Sequence, residues 1–152
     1  MSQLLDRDDG ATERRAAFER GEVPVAVYGL GKMGLPLAAV YADVTGNVTG
    51  VDIDESVVER IRNGECPVER EPGLPELVAR LVADGSLDAS ADPAAAAADA
   101  SVHVVIVPTL VDDDDEPDLS AVRAVAGDIA AGIDRGDLVV VESTLPPGTT
   151  ET

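Results

Sequence analysis

Tryptophan is absent from this 152-residue chain, and aromatic residues make up only 2% of it. The core must therefore be built from small aliphatic side chains. Cysteine occurs once, so no internal disulfide can form and a secreted disulfide scaffold is excluded. Basic residues are scarce: 11 Lys+Arg against 30 Asp+Glu give a net charge of −19. That balance excludes a nucleic-acid binder, which needs a basic surface to neutralise phosphates. It also excludes docking on anionic lipid. No apolar run approaches the roughly 18–20 residues that span a bilayer, and the first residues lack the apolar stretch of a signal peptide. The expected compartment is the cytoplasm.

What is present suits one globular domain. A chain of this length buries about 68–70% of its unfolded surface, and 45% of the residues are hydrophobic. All the basic residues except Lys32 are arginines. An acid excess with a single lysine fits adaptation to a salt-rich cytoplasm, where screening damps self-repulsion. The fold should then loosen in dilute buffer. The alternative is an ordinary acidic protein.

Residues 1–22 are mostly charged and read as a solvated N-terminal extension, with a short helix over 12–20 as an option. From residue 23 the pattern changes. Val23–Tyr28 is a short apolar run ending at a glycine, which reads as a buried strand. Helices are expected over 33–44, 55–63 and 74–84, with strands over 47–52 and 87–90. Asp54 is placed to cap the second of these helices. Asp92-Pro93 opens an alanine helix, with an N-cap followed by proline at the first helical position. Val102–Val107 is a β-branched run of the kind buried in parallel sheets. An acidic loop (112–117), a helix to about Ile133 capped by Asp118 or Ser120, and a strand at 138–141 follow. Strands alternating with helices mean βαβ units around a parallel sheet. The expected fold is α/β, a Rossmann-type doubly wound parallel sheet over residues 23–152, incomplete at its C-terminal end. The outer strand near 138–147 should then show an unpaired edge and apolar surface.

Gly29-Leu30-Gly31-Lys32-Met33-Gly34 is G-x-G-x-x-G between a strand and a helix, the context that makes this pattern specific. Gly29 permits the tight turn. Gly31 lets the backbone approach a pyrophosphate resting on the helix N-terminus, and Gly34 lets the helix pack close to the strand. Lys32 either reaches a diphosphate or is simply solvated. Asp52 follows the second strand, 18 residues past Gly34. A carboxylate there accepts hydrogen bonds from the adenosine ribose of NAD. Asp52, Asp54 and Glu55 would repel the extra phosphate of NADP. The alternative for a strand-end acid is capping the next helix, which suits Asp54 better than Asp52.

Five motifs lie in register with one family. Gly-Leu-Gly-x-x-Gly-Leu-Pro-Leu-Ala (29–38), Val-Asp-Ile-Asp (51–54), Glu-Pro-Gly-Leu (71–74), Val-Pro-Thr (107–109) and Glu-Ser-Thr-Leu-Pro-Pro-Gly-Thr-Thr-Glu (142–151) resemble the UDP-glucose/GDP-mannose dehydrogenase family. The Val-Pro-Thr and Glu-Ser-Thr forms are most similar to the UDP-N-acetylmannosamine dehydrogenase branch, with the UDP-glucose branch next. The resemblance implies an NAD-binding portion of a nucleotide-sugar 6-dehydrogenase. Such an enzyme oxidises a sugar C6 alcohol to a carboxylate by two hydride transfers to NAD, through a thiohemiacetal on a cysteine. It implies that Gly29, Gly31, Lys32, Met33, Gly34, Asp52 and Thr109 bind the cofactor. Thr144 would lie by the nicotinamide as a catalytic and cofactor-binding hydroxyl, or else cap the turn before Pro146. It also implies a UDP-sugar substrate held by a further domain, a homodimer in the complete protein, and no activity in this chain alone.

Two positions depart from the family pattern. Lys32 stands where many relatives carry an aromatic, and Val57 where many carry Lys or Arg, with Arg60 one turn on. Cys66 has no basic neighbour to stabilise a thiolate and reads as structural. His103, inside a strand, reads as a packed or surface residue rather than a base. Asp112–Glu116 lacks the alternation of a calcium loop and reads as a solvated acidic loop. No metal site is expected. Two other readings stand beside the first: a β-hydroxyacid dehydrogenase, which shares Gly-Leu-Gly-x-Met-Gly and Ser-Thr, and a stand-alone NAD-binding regulatory domain.

Overall fold

The computed structural model describes residues 10–151. Among these residues seven strands and six α-helices run in the order α1 (Ala11–Glu19), β1 (Val25–Tyr28), α2 (Gly34–Thr45), β2 (Val48–Val51), α3 (Glu55–Arg62), α4 (Leu74–Ala83), β3 (Leu87–Ser90), α5 (Pro93–Asp99), β4 (Val102–Val105), β5 (Leu110–Val111), β6 (Pro117–Asp118), α6 (Ser120–Gly132) and β7 (Leu138–Val141), with a 3-10 turn at Thr149–Glu151. Five strands form one parallel sheet in the order β3-β2-β1-β4-β7. The chain builds outward from β1 to β3, then returns to lay β4 on the other side of β1. That reversal is the topological switch point of a doubly wound sheet, where such folds bind ligands.

Strand alternation divides the core into two layers. Val25, Val27, Val102 and Val104 face α2, α3 and α4, whose Leu35, Ala38, Ile61 and Val78 are buried against them. Ala26, Tyr28 and Val105 face α5 and α6 through Ala96, Ala100 and Ile129. The expected aliphatic core is what forms: of the largest fully buried side chains only Tyr28 and His103 carry rings.

Several boundaries differ from the sequence expectation, each for a local reason. The first ladder begins at Val25, not Val23, because Pro24 has no N–H to donate; its carbonyl still accepts from Ser101 and Val102. The fourth strand ends at Val105, not Val107, where the chain turns out towards the cleft described below. The acidic loop is not wholly irregular: β5 and β6 pair as a small antiparallel ladder around it. The reading of residues 1–22 as a solvated extension is corrected over its described part. Helix α1 buries Ala17 completely, and Phe18 meets Tyr41 edge-on with ring centroids 6.3 Å apart. Its charged residues hide the few apolar ones that dock it. Residues 1–9 of that extension lie outside the described residues.

Strand β7 is the outer strand. Leu138 and Val140 pack inward, while Val139 and Val141 are 38% and 36% exposed.

Candidate functional site

A cleft of about 670 Å³ opens at the switch point, within the range of small-ligand sites. Loop residues after β1, β2, β4 and β7 form its walls, and Ala121, Ala124, Val125 and Asp128 of α6 close one side. All eight candidate residues line it: Gly29, Gly31, Lys32, Met33, Gly34, Asp52, Thr109 and Thr144. A shallower hollow of about 420 Å³ beside α3, lined by Glu55, Glu59 and Arg62, holds none of them.

The three loop glycines have different causes. Gly29 has φ +101, and a Cβ there would sit 2.6 Å from the Ile106 carbonyl oxygen. Both the backbone conformation and the close approach require glycine. A Cβ on Gly34 would collide with the Gly29 carbonyl oxygen. The glycine thus lets the helix start close against its own loop, rather than only against the strand. Gly31 differs from both: a Cβ there meets no atom within 4 Å. Nothing in the chain's own packing requires that position to be bare.

Asp52 is fixed from both sides. Its Oδ2 accepts from the Leu30 amide at 3.0 Å, and its Oδ1 accepts from the Asp54 amide at 2.9 Å. The carboxylate therefore staples the glycine loop to the end of β2 while lining the cleft. Helix capping falls to Asp54, which accepts from the Ser56 amide at 2.9 Å and hydroxyl at 2.6 Å. Those bonds, the hydroxyl's first, hold the Asp54 carboxyl below its ordinary range. Leu30, between the glycines, is no solvated linker residue. It is buried, and its side chain fills the space that a Cβ on Gly50 would take, 2.7 Å away.

The opposite wall carries hydroxyls. The Thr109 Oγ1 is buried and makes no hydrogen bond among the described residues. An orphaned buried oxygen costs free energy unless something pairs with it. Ser143, unmarked by sequence reasoning, donates its hydroxyl to the Val107 carbonyl at 2.8 Å and ties the two loops together. Thr144 is exposed at the cleft. The turn at Pro146 is closed by Thr149, whose hydroxyl donates to the Pro146 carbonyl at 2.7 Å, so Thr144 is not needed there. Lys32 and Met33 are exposed at the cleft mouth. Asp52, Asp128 and Glu142 leave its lining with an excess of carboxylates over the one ammonium. A polyanion gains little from this lining beyond Lys32 and the start of α2, where the Leu35 and Leu37 amides already donate to the Gly31 and Met33 carbonyls and Pro36 has no N–H.

Residues set aside in the sequence lie where no chemistry is asked of them. Cys66 is outside the cleft lining. Its thiol donates to the Val68 carbonyl at 3.3 Å, and the residue packs against the core. His103 is fully buried in β4, beside Tyr28. Among the described residues no group of His, Cys, Asp and Glu is placed to hold a metal ion, and no helix is long and apolar enough to cross a membrane.

Comparison with known proteins gives this site a family. Residues 23–152 match the UDP-glucose/GDP-mannose dehydrogenase family, NAD binding domain. The NDP-N-acetyl-D-galactosaminuronic acid dehydrogenase of Ralstonia nicotianae is 43% identical over 84% of this chain and 29% of its own length. The UDP-N-acetyl-D-mannosamine dehydrogenase of Escherichia coli K12 is 40% identical over the same shares. The solved UDP-D-ManNAc dehydrogenase of Pyrococcus horikoshii superposes with a TM-score of 0.79 at 35% identity, covering 84% of this chain and 30% of that one. The chain thus spans under a third of the length of the curated relatives it matches. Between the nucleotide-sugar and hydroxyacid readings, these matches favour the former. The chain belongs to the UDP-glucose/GDP-mannose dehydrogenase family, and residues 23–152 are of its NAD-binding domain.

Proposed function

We propose that this chain supplies the NAD site of a nucleotide-sugar dehydrogenase that oxidises the C6 alcohol of a UDP-sugar, of the N-acetylmannosamine or glucose class, to the uronate. Gly31 carries the reading. It is bare where the chain's own packing leaves room for a side chain, and it lines the same cleft as Asp52. A ligand whose phosphates must approach the backbone accounts for that glycine. Asp52 presents a carboxylate to the adenosine ribose. Gly29, Gly31, Lys32, Met33 and Gly34 hold the diphosphate. Thr109 offers its orphaned hydroxyl to the cofactor. Thr144 lies at the reacting end, where its hydroxyl bonds the cofactor or a catalytic water. When bound, NAD supplies the hydride acceptor; the chain's residues orient it and exclude water. The cofactor domain runs over residues 23–152, with 1–22 as an addition to it.

The family's thiol chemistry needs a cysteine at the reacting carbon, and Cys66 lies outside the cleft. The chain alone therefore binds NAD without turning over. The UDP-sugar and a homodimeric assembly belong to the whole enzyme, which we place in a salt-rich cytoplasm on the strength of 30 acidic residues, 11 basic ones and a single lysine.

Calorimetry in molar KCl tests this. Saturable NAD⁺ binding is expected, with NADP⁺ at least tenfold weaker. Asp52→Asn should weaken NAD⁺ by about tenfold, the worth of one charge-assisted hydrogen bond, and narrow the gap to NADP⁺. Absence of NAD⁺ binding would overturn the cofactor site. NADH formation from a UDP-sugar by the chain alone would overturn the assignment of the thiol elsewhere.

A further inference from the structure

The ladder between β4 and β7 ends in an unusual way. In a parallel pair the amides of one strand reach the other at every second residue. Here the Leu138 amide donates to the Ser101 carbonyl at 3.0 Å, and the Glu142 amide to the Val105 carbonyl at 2.8 Å. The next rung in that step would join the Thr144 amide to the Val107 carbonyl. It is not made. The Val107 carbonyl instead accepts the Ser143 hydroxyl at 2.8 Å. Neither the amide nor the hydroxyl of Thr144 has a hydrogen-bond partner among the described residues. Thr144 lines the cleft, so its two donors are uncommitted where a ligand is expected.

We propose that Ser143 is a positioning residue: its hydroxyl takes the place of the next rung of the β4–β7 ladder, and so keeps the amide and hydroxyl of Thr144 available to an acceptor oxygen of the bound cofactor. The inference rests on the NAD reading above for its ligand, but not for its geometry. Serine suits the task because its short side chain carries the donor just off the backbone. The bond holds the second loop in register with the first without using Thr144. Without it, the strand pairing runs on by one rung and draws the Thr144 amide back into the sheet.

Amide hydrogen exchange and calorimetry on the same chain in molar KCl test the two halves separately. In the ligand-free wild type the Thr144 amide should exchange as an unbonded amide, and NAD⁺ should slow it. In Ser143→Ala the new rung should slow Thr144 exchange at least tenfold without ligand and weaken NAD⁺ about tenfold. Ser143→Thr, which keeps the hydroxyl, should restore both towards wild type. A merely structural role would leave Thr144 exchange fast in Ser143→Ala, and that result overturns the proposal. So does a Thr144 amide already protected in the ligand-free wild type, a measurement that needs no variant to fold. If the wild type binds no NAD⁺, the cofactor reading fails, while Thr144 exchange still decides whether Ser143 replaces the rung.

Discussion

The two walls of the cleft are built on opposite principles. On the wall made by residues 29–34 and 52, the chain satisfies itself. The Gly29 amide donates to the Val51 carbonyl at 2.8 Å, the Leu30 amide to Asp52, and Gly34 closes against the Gly29 carbonyl. On the wall made by residues 106–109 and 142–144, groups are left over. Thr109 has a buried oxygen without a partner among the described residues, and a serine hydroxyl stands where a ladder rung would be. One wall is fixed by the chain's own packing. The other carries donors and acceptors that the chain does not use. Function is therefore read differently on each: on the first from Gly31, the loop glycine that packing does not demand, and on the second from groups that packing leaves unpaired.

The sharpest break of that contrast comes from two glycines on the first wall. Gly34→Ala puts a methyl into a backbone carbonyl that cannot yield. Overpacking of this kind costs about 3 kcal/mol or more, a large part of a small domain's stability. Thermal or denaturant unfolding should show it. Gly31→Ala meets nothing within 4 Å and should leave stability within about 0.5 kcal/mol, as for an ordinary surface change. Its NAD⁺ affinity should fall by about tenfold to a hundredfold, as the same overpacking falls on the ligand instead. If Gly31→Ala binds NAD⁺ as the wild type does, the first wall is only a packed turn.

On the second wall the signs reverse. Thr109→Val removes an oxygen that has no partner among the described residues. Replacing an unsatisfied buried hydroxyl by a methyl should leave the protein as stable or raise stability by about 1 kcal/mol. The same change should weaken NAD⁺ several-fold, by about 0.5–1.5 kcal/mol for one lost hydrogen bond. A loss of stability with unchanged binding would mean that Thr109 serves the fold.

The sequence carries the first wall well and the second poorly, for a physical reason. G-x-G-x-x-G and an acid after the next strand are local patterns, because turn geometry and close approach act over a few residues. The five strands of a parallel sheet were legible from β-branched runs such as 102–107 and from the alternating elements, while their order in the sheet came from the structure. Leu30 as a buried plug was not: its partner Gly50 is distant in sequence and adjacent only through the sheet. Neither was Ser143, since a serine between Glu142 and Thr144 looks like any polar loop residue until the Val107 carbonyl is beside it. A helix over 12–20 was an option in the sequence, but its docking was concealed by composition, because two residues, Ala17 and Phe18, dock an otherwise charged segment.

The smallest expected effect is one of pH, beneath both walls. A buried polar chain joins Tyr28, at the end of β1 before the first wall, to His103 of β4 and Asp137 before β7. Tyr28 Oη lies 2.9 Å from His103 Nδ1, and His103 Nε2 lies 3.7 Å from Asp137 Oδ2. Burial, with a smaller contribution from Asp128, keeps the phenol protonated far above its ordinary range. His103 Nε2 faces the Asp137 carboxylate without a hydrogen-bond partner among the described residues. Burial also pushes His103 below its ordinary value of 6.5, with Asp137 opposing the shift less strongly. The folded state then resists taking up a proton that the unfolded state accepts. Stability should accordingly be full above about pH 6.5 and decline as pH falls from there towards the lowered folded value. His103 is the only histidine, and carboxylates titrate lower, so unfolding in molar KCl between about pH 5 and 7 isolates it. His103→Gln should lower stability overall but flatten that slope. A slope that survives the substitution would remove His103 as its source.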